Sequence, residues 1–311
     1  MTPARSRLVA TLLLVGITSV WGSTFYLIRD LVQVLPPTDF LAVRFTIAAA
    51  AMVAVFWRQL LAVSRREVRI GVGLGIVYAI AQILQTVGLA HTEASRSGFI
   101  TGTYVVLTPI FGAILLRDRI PRSTWFAVLM ATAGLATLSM TGFGTGFGST
   151  AGFGFGEGVT LLAAAFYALH IIGLGRYSSP ASAAGLSTVQ LITIAVVSLV
   201  AAIPGGIELP SGRGEWTSVL YMALVAGAVA VWGQTWAQSH LTATRAAIVM
   251  TLEPVFAAAF AVALGGESMT RRMMLGGAMV LAAMYTVELF GRRADATAEQ
   301  DPPAELLHHE L

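Results

Sequence analysis

Cysteine is absent from this 311-residue chain, and so is lysine; all 19 basic residues are Arg. Without Cys there are no disulfides, thiolate metal sites or thiol nucleophiles. Without Lys there is no Walker A contact to nucleotide phosphates and no pyridoxal Schiff base, so ATP-driven pumping by this chain alone is not expected. None of His91, His170, His240, His308 and His309 stands in an H-E-x-x-H pair, which leaves a zinc hydrolase without its usual motif. Charge is the third shortage. Only 11% of residues are charged and 56% are hydrophobic, against about 25% charged in an ordinary soluble domain. A water-soluble globule of this composition could not cover its surface, so the chain reads as an integral membrane protein. The net charge is +3, but the Arg residues lie between apolar runs, which reads as topology rather than nucleic-acid binding.

Those runs fall at about 8–28, 39–57, 68–90, 98–116, 124–141, 158–175, 186–203, 216–238, 243–264 and 273–291. Each is near the roughly 20 residues that cross about 30 Å of hydrocarbon. They are continuous rather than alternating, which argues against a β-barrel. The expected fold is an all-α membrane protein of ten transmembrane helices. Residues 1–141 hold the first five, 142–157 form a Gly/Phe-rich outer linker, 158–291 hold the second five, and 292–311 form a disordered cytoplasmic tail. Arg5 and Arg7 before the first run suggest a signal peptide, but no small-x-small cleavage site follows, so it reads as an uncleaved helix. With the N-terminus inside, thirteen Arg fall in inner segments and five in outer loops. This bias predicts both termini in the cytoplasm of a multi-pass protein of the cell's inner (plasma) membrane.

One pattern recurs at an offset of 149: Gln85-Thr86, His91 and Arg96 return as Gln234-Thr235, His240 and Arg245. A shift of 146 aligns Trp21 with Tyr167, Thr24 with His170 and Arg44 with Gln190. Five is odd, so the halves must insert in opposite directions. Inverted repeats around a central cavity are a hallmark of secondary transporters, with the substrate site near the midplane.

Trp21-Gly22-Ser23, Pro37 with Arg44-Phe45, Glu253-Pro254-Val255-Phe256, Gly266-Glu267 and Leu275-Gly276-Gly277 follow one another in order. In these residues the chain resembles the drug/metabolite transporter superfamily, specifically the EamA-type ten-helix exporters, over residues of about 10–290. It is further similar to the YddG-type exporters of aromatic amino acids. It departs from the pattern at Arg117-Asp118-Arg119, where the second half has Gly265-Gly266-Glu267, and at Pro109, one helical turn later than its counterpart Pro254. The resemblance implies that spans 1, 3, 4, 6, 8 and 9 line a central cavity and that spans 2, 5, 7 and 10 lie outside them.

Polar groups in the bilayer core tend to face protein or water. Ser97, Thr101, Tyr104 and Thr108 form a stripe on span 4, and Tyr78, Gln82 and Gln85 form one on span 3. Thr18 with Trp21, Tyr167 with His170, and Gln234 with Gln238 share faces on spans 1, 6 and 8. Each stripe either lines the cavity or makes interhelical hydrogen bonds worth about 0.6 kcal/mol each. The substrate-binding candidates are Trp21, Tyr78, Gln82, Gln85, Thr101, Tyr104, Tyr167, His170 and Gln234. Trp232 and Trp236 lie on the other face of span 8 and read as packing or lipid-facing. His91 and His240 read as helix-end hydrogen-bonding groups. Arg44 is expected to snorkel or to pair with a carboxylate, not to meet the substrate.

Glu253 is the carboxylate near mid-span. A charge there costs about 2.5–3.5 kcal/mol on insertion scales. It reads as a proton-coupling group, as a ligand for a substrate ammonium, or as a protonated acid bonded to a neighbouring helix. Pro109 and Pro254 are the candidate hinge or kink positions.

The leading expectation is a secondary transporter that exports small amphipathic metabolites, first amino acids including aromatic ones, by alternating access. An exporter of lipophilic cations or drugs is the alternative within the fold, since aromatic residues and Glu253 suit a cation. A phosphorylated-sugar carrier would need Arg or Lys deep in the cavity, which the expected lining spans lack. A non-transporting membrane protein would leave the repeat unexplained, and an intramembrane enzyme would need a nucleophile–base pair or metal cluster that the sequence does not offer. The expected partners are a small solute and the lipid bilayer. No cofactor, metal or nucleic acid is expected, and a monomer suffices.

Overall fold

A computed structural model describes residues 3–92, 94–117, 120–139, 154–265, 271 and 274–286. The expected outer linker lies largely outside these residues, as do Asp118, Arg119, Gly266, Glu267 and the C-terminal tail. The described chain is helical throughout. In order, the helices are α1 (Pro3–Gly22), α2 (Thr24–Leu31), α3 (Pro37–Leu61), α4 (Arg65–Leu89), α5 (Ala94–Gly102), α6 (Tyr104–Phe111) and α7 (Arg122–Ser139). There follow α8 (Phe155–Tyr177), α9 (Ala183–Ala202), α10 (Arg213–Ala223), α11 (Ala230–Gln238), α12 (Ala243–Met250), α13 (Glu253–Gly265) and α14 (Met274–Thr286). A π-helical stretch, Gly112–Leu116, continues α6, and another, Leu224–Val229, joins α10 to α11.

Helix fills each of the ten apolar runs. Among the described residues, six helices are long and apolar enough to cross a membrane by length and composition, and Ile100–Leu116 and Met274–Thr286 are shorter apolar helices. Local chemistry sets the starts. Pro37 opens α3, where a missing N–H costs nothing. Ser64 and Glu67 close a reciprocal capping box on α4, the Ser64 hydroxyl accepting from the Glu67 N–H and the carboxylate accepting from Ser64 N–H at 2.8 Å.

Packing between α4, α8 and α9 depends on glycine. A Cβ on Gly75 would stand 2.9 Å from the Gln190 carbonyl, and one on Gly88 3.0 Å from the Gly156 carbonyl. Small residues let helix backbones approach where lipid supplies no hydrophobic drive. Large side chains turn outward instead: Leu12, Phe126, Leu129 and Val196 are all more than half exposed. An apolar exterior of this kind suits hydrocarbon rather than water.

Three of the apolar runs are not single helices. The first breaks at Ser23, the fourth at Thr103 and the ninth at Thr251–Leu252. Thr103 donates its hydroxyl to the Ile100 carbonyl at 2.6 Å, and Thr251 donates to the Ile248 carbonyl, also at 2.6 Å. In both cases the turn that closes at the break carries i→i−3 backbone bonds. The ninth-run break lies just before Glu253-Pro254, and Pro254 sits in the first turn of α13, as a proline-induced break predicts. Pro109 behaves differently. It lies inside α6, and the fourth run breaks six residues earlier at Thr103. The break in this run thus falls at Gly102-Thr103, and the ladder beyond Pro109 passes into the π-helical stretch Gly112–Leu116.

Candidate functional site

The broken helices surround a cavity of about 700 Å³, its open part included. On α1 and α2 its wall runs from Trp21 to Ile28, and on α4 from Tyr78 to Leu89. Thr101 and Tyr104 enter on either side of the Thr103 break, and Met250 and Glu253 on either side of the Thr251–Leu252 break. Tyr167, His170 and Ile171 come from α8, and Gln234 from α11. All nine substrate-binding candidates read from the sequence, and Glu253, thus lie on one wall. Ser97 and Thr108 lie off it and are fully buried, with hydroxyls that have no hydrogen-bond partner among the described residues. Their 4, 3, 4 spacing presumes a continuous helix, and the break at Thr103 redirects the stripe. Thr18 is also off the cavity; its hydroxyl bonds back to Leu14 and Val15.

The cavity's polar groups are tied to one another. The Tyr167 hydroxyl donates to Gln85 Oε1 at 2.7 Å, and Gln85 Nε2 donates to Thr101 Oγ1 at 3.2 Å. Gln85 therefore links α4, α5 and α8 and leaves little of its amide for a solute. Its counterpart Gln234 donates from Nε2 to Gln238 Oε1 at 3.0 Å, and Gln238 donates to the Ile171 carbonyl at 2.9 Å. Gln234 Oε1 is buried without a partner among the described residues. His170 pairs through Nε2 with Gln190 Oε1 at 2.9 Å. Gln190 donates from its own Nε2 to the Leu186 carbonyl, so its Oε1 accepts the histidine proton. That fixes the tautomer and leaves His170 Nδ1 a buried acceptor without a partner among the described residues. Tyr78 stacks against His170 at 4.7 Å and meets Tyr167 edge-on at 5.8 Å.

Trp21-Gly22-Ser23 positions this wall, each residue by a different contact. Trp21 Nε1 donates to the Ala226 carbonyl at 2.9 Å, inside the second π-helical stretch. A Cβ on Gly22 would lie 2.8 Å from the Glu253 carbonyl, so the first-run break rests directly on the ninth-run break. Ser23 Oγ donates to the Val20 carbonyl and accepts from the Tyr221 hydroxyl at 2.7 Å. Glu253 is half-buried and heads α13. Among the described residues its carboxyl has no hydrogen bond or ion pair.

Arg44 is the residue the sequence reading placed wrongly. It does not snorkel, and among the described residues it pairs with no carboxylate; it is buried and lines the cavity, although it belongs to a span expected to lie outside. A usable pattern was present. Phe40, Leu41, Phe45, Ala48 and Met52 face the core of α3 at helical spacing, and Arg44 falls inside that stripe. The other assignments hold their places. His91 and His240 bond through Nδ1 to the carbonyls of Val87 and Trp236, four residues back in each case. Trp232 packs on Phe56 and Trp236 on His240, both away from the cavity.

The sequence profile of the EamA-like transporter family matches residues 8–140 and, separately, residues 154–289. The chain belongs to that family and is a multi-pass membrane transporter rather than an enzyme. An uncharacterized transporter of Archaeoglobus fulgidus is 31% identical over 283 residues, which cover 91% of this chain and 87% of the relative. The uncharacterized transporter YcxC of Bacillus subtilis is 31% identical over 124 residues, 39% of this chain and 37% of its own. A protein crystal structure matches in fold with a TM-score of 0.76 at 18% identity, over 92% of this chain and 98% of that one.

Proposed function

We propose that the protein is a ten-helix secondary transporter built of two inverted five-helix repeats, which exports small amphipathic metabolites by alternating access. Amino acids, aromatic ones among them, are the first substrate class. The observation that carries this is the cavity wall. It combines Trp21, Tyr78, Tyr104 and Tyr167 with the polar side chains of Gln82, His170, Gln234 and Glu253. Such a wall suits a solute with an apolar body and a polar end. The repeat is supported by the double match of the family profile. It is supported again by shared devices: the threonine breaks at Thr103 and Thr251 and the helix-end rings of His91 and His240. A cavity at the crossing of broken helices is what rocking of one repeat against the other requires.

Efflux of radiolabelled amino acids from proteoliposomes holding the full-length protein tests the reading. Replacing Tyr78, Tyr104 and Trp21 by Ala together is expected to reduce transport at least about tenfold, since each removes a large aromatic surface from the wall. Unchanged transport by a well-expressed triple variant would dismiss the pocket. An exporter of lipophilic cations is the second reading, favoured by Glu253 beside aromatic rings, and the same liposomes loaded with organic amines separate the two. For topology, both termini are placed in the cytoplasm of the inner membrane. Reporters fused within 58–69 and within 142–156 should therefore report opposite sides. The same side for both would reject the arrangement.

A further inference from the structure

Arg44 has no part in the scheme so far, yet its position is costly. It is 3% exposed, and a buried guanidinium needs both its N–H groups and its charge compensated. Nε donates to the Met222 carbonyl at 3.2 Å, beside the second π-helical stretch. The rings of Phe45 and Phe40 lie 5.0 and 5.8 Å from the guanidinium carbon and offer cation–π attraction. Among the described residues no carboxylate pairs with Arg44, and its terminal nitrogens have no hydrogen-bond partner. Because the residue lines the cavity, those nitrogens form the fork that a carboxylate occupies in a bidentate pair.

We infer that Arg44 binds the carboxylate of a zwitterionic solute whose ammonium is received by Glu253. This rests on the amino-acid transport proposed for the same cavity and names the residue that would set its specificity. Arg44 and Glu253 line one cavity without pairing with each other. Tyr78 and Tyr167 line the same cavity as Arg44 and Glu253, so an aromatic wall accompanies the two polar groups. Tyr78 is also edge-on to Phe45 at 6.4 Å, the ring that Arg44 covers. A solute with both charges and an aromatic body complements all three features. A plain amine meets the repulsion of Arg44, and a phosphate dianion meets that of Glu253. The Gln234 amide, on the same wall, contacts Met250 Sδ at 3.7 Å, at the break before Glu253.

The test measures binding of three matched solutes to the purified full-length protein: phenylalanine, phenethylamine, which lacks the carboxylate, and hydrocinnamate, which lacks the ammonium. Wild-type protein should prefer phenylalanine to phenethylamine by at least about 30-fold, the scale for losing one partner of a buried charge pair. In Arg44→Gln that ratio should fall to near one. Arg44→Lys should recover part of it, as a point charge without the fork. If folded Arg44→Gln keeps the wild-type ratio while phenylalanine is still transported, the inference is wrong and the transport reading stands. If Arg44→Gln does not fold, the wild-type series decides: equal affinity for phenylalanine and phenethylamine means that no carboxylate is read. Tighter, Arg44-dependent binding of phenyl phosphate would reassign the anion and overturn the carboxylate. If wild-type protein transports none of the amino acids, the transport reading itself fails and the inference with it.

Discussion

Glu253→Gln is expected to leave the protein folded and to weaken binding of ammonium-bearing solutes by about 10- to 100-fold, the scale for losing a hydrogen bond to a charged group. The substitution keeps the shape of the side chain. Among the described residues it removes no bond, because the carboxyl makes none there. Glu253 heads α13 at a helix break and is half-buried on the cavity wall, so a solute or water can reach it. A structural acid bonded to a neighbouring helix would show the opposite pattern, with stability lost and affinity kept. The second functional role is separable in the same liposomes. A proton-coupling group, once replaced by Gln, would abolish the response to a pH gradient and leave affinity unchanged. Wild-type affinity together with a wild-type pH response would remove Glu253 from both roles.

Most of this wall was legible because transmembrane helices obey one period. Tyr78, Gln82 and Gln85 recur at helical spacing, and α4 is unbroken from Arg65 to Leu89, so all three reach the cavity. Tyr167 and His170 benefit from the same continuity in α8. The reading failed where continuity failed. The stripe from Ser97 to Thr108 crosses the Thr103 break, and only Thr101 and Tyr104, close to that break, reach the wall. A proline is the conspicuous helix breaker in a sequence, so attention fell on Pro109, whereas the helix break itself lies at a Gly-Thr pair whose hydroxyl bonds back to Ile100. Arg44 was missed for a different reason. Charge near a helix end suggests snorkelling, and only the end of α10 with the π-helical stretch that follows it, where the Met222 and Ala226 carbonyls take Arg44 and Trp21, shows what holds it inward. A π-helical insertion has no dependable residue signature, although such insertions recur at functional sites.

Two glycines of α1 should respond in opposite directions to the same methyl group. At Gly16 nothing lies within 4 Å of the added Cβ, and the residue faces outward. Gly16→Ala should therefore stabilise the protein slightly, by up to about 1 kcal/mol, through helix propensity alone. At Gly22 the added Cβ would stand 2.8 Å from the Glu253 carbonyl oxygen and 2.9 Å from the Ala257 nitrogen. Both are backbone atoms and cannot rotate aside. Gly22→Ala should therefore cost about 1–3 kcal/mol by overpacking, and Gly22→Val more. The functional loss should exceed the stability loss, because prying α1 from α13 displaces Trp21 on one side and Glu253 on the other. Thermal unfolding in detergent and amino-acid efflux from liposomes read the two effects separately. Equal tolerance of alanine at both positions would mean that the first and ninth runs do not cross at Gly22, and that the cavity is not built on the contact of their two breaks.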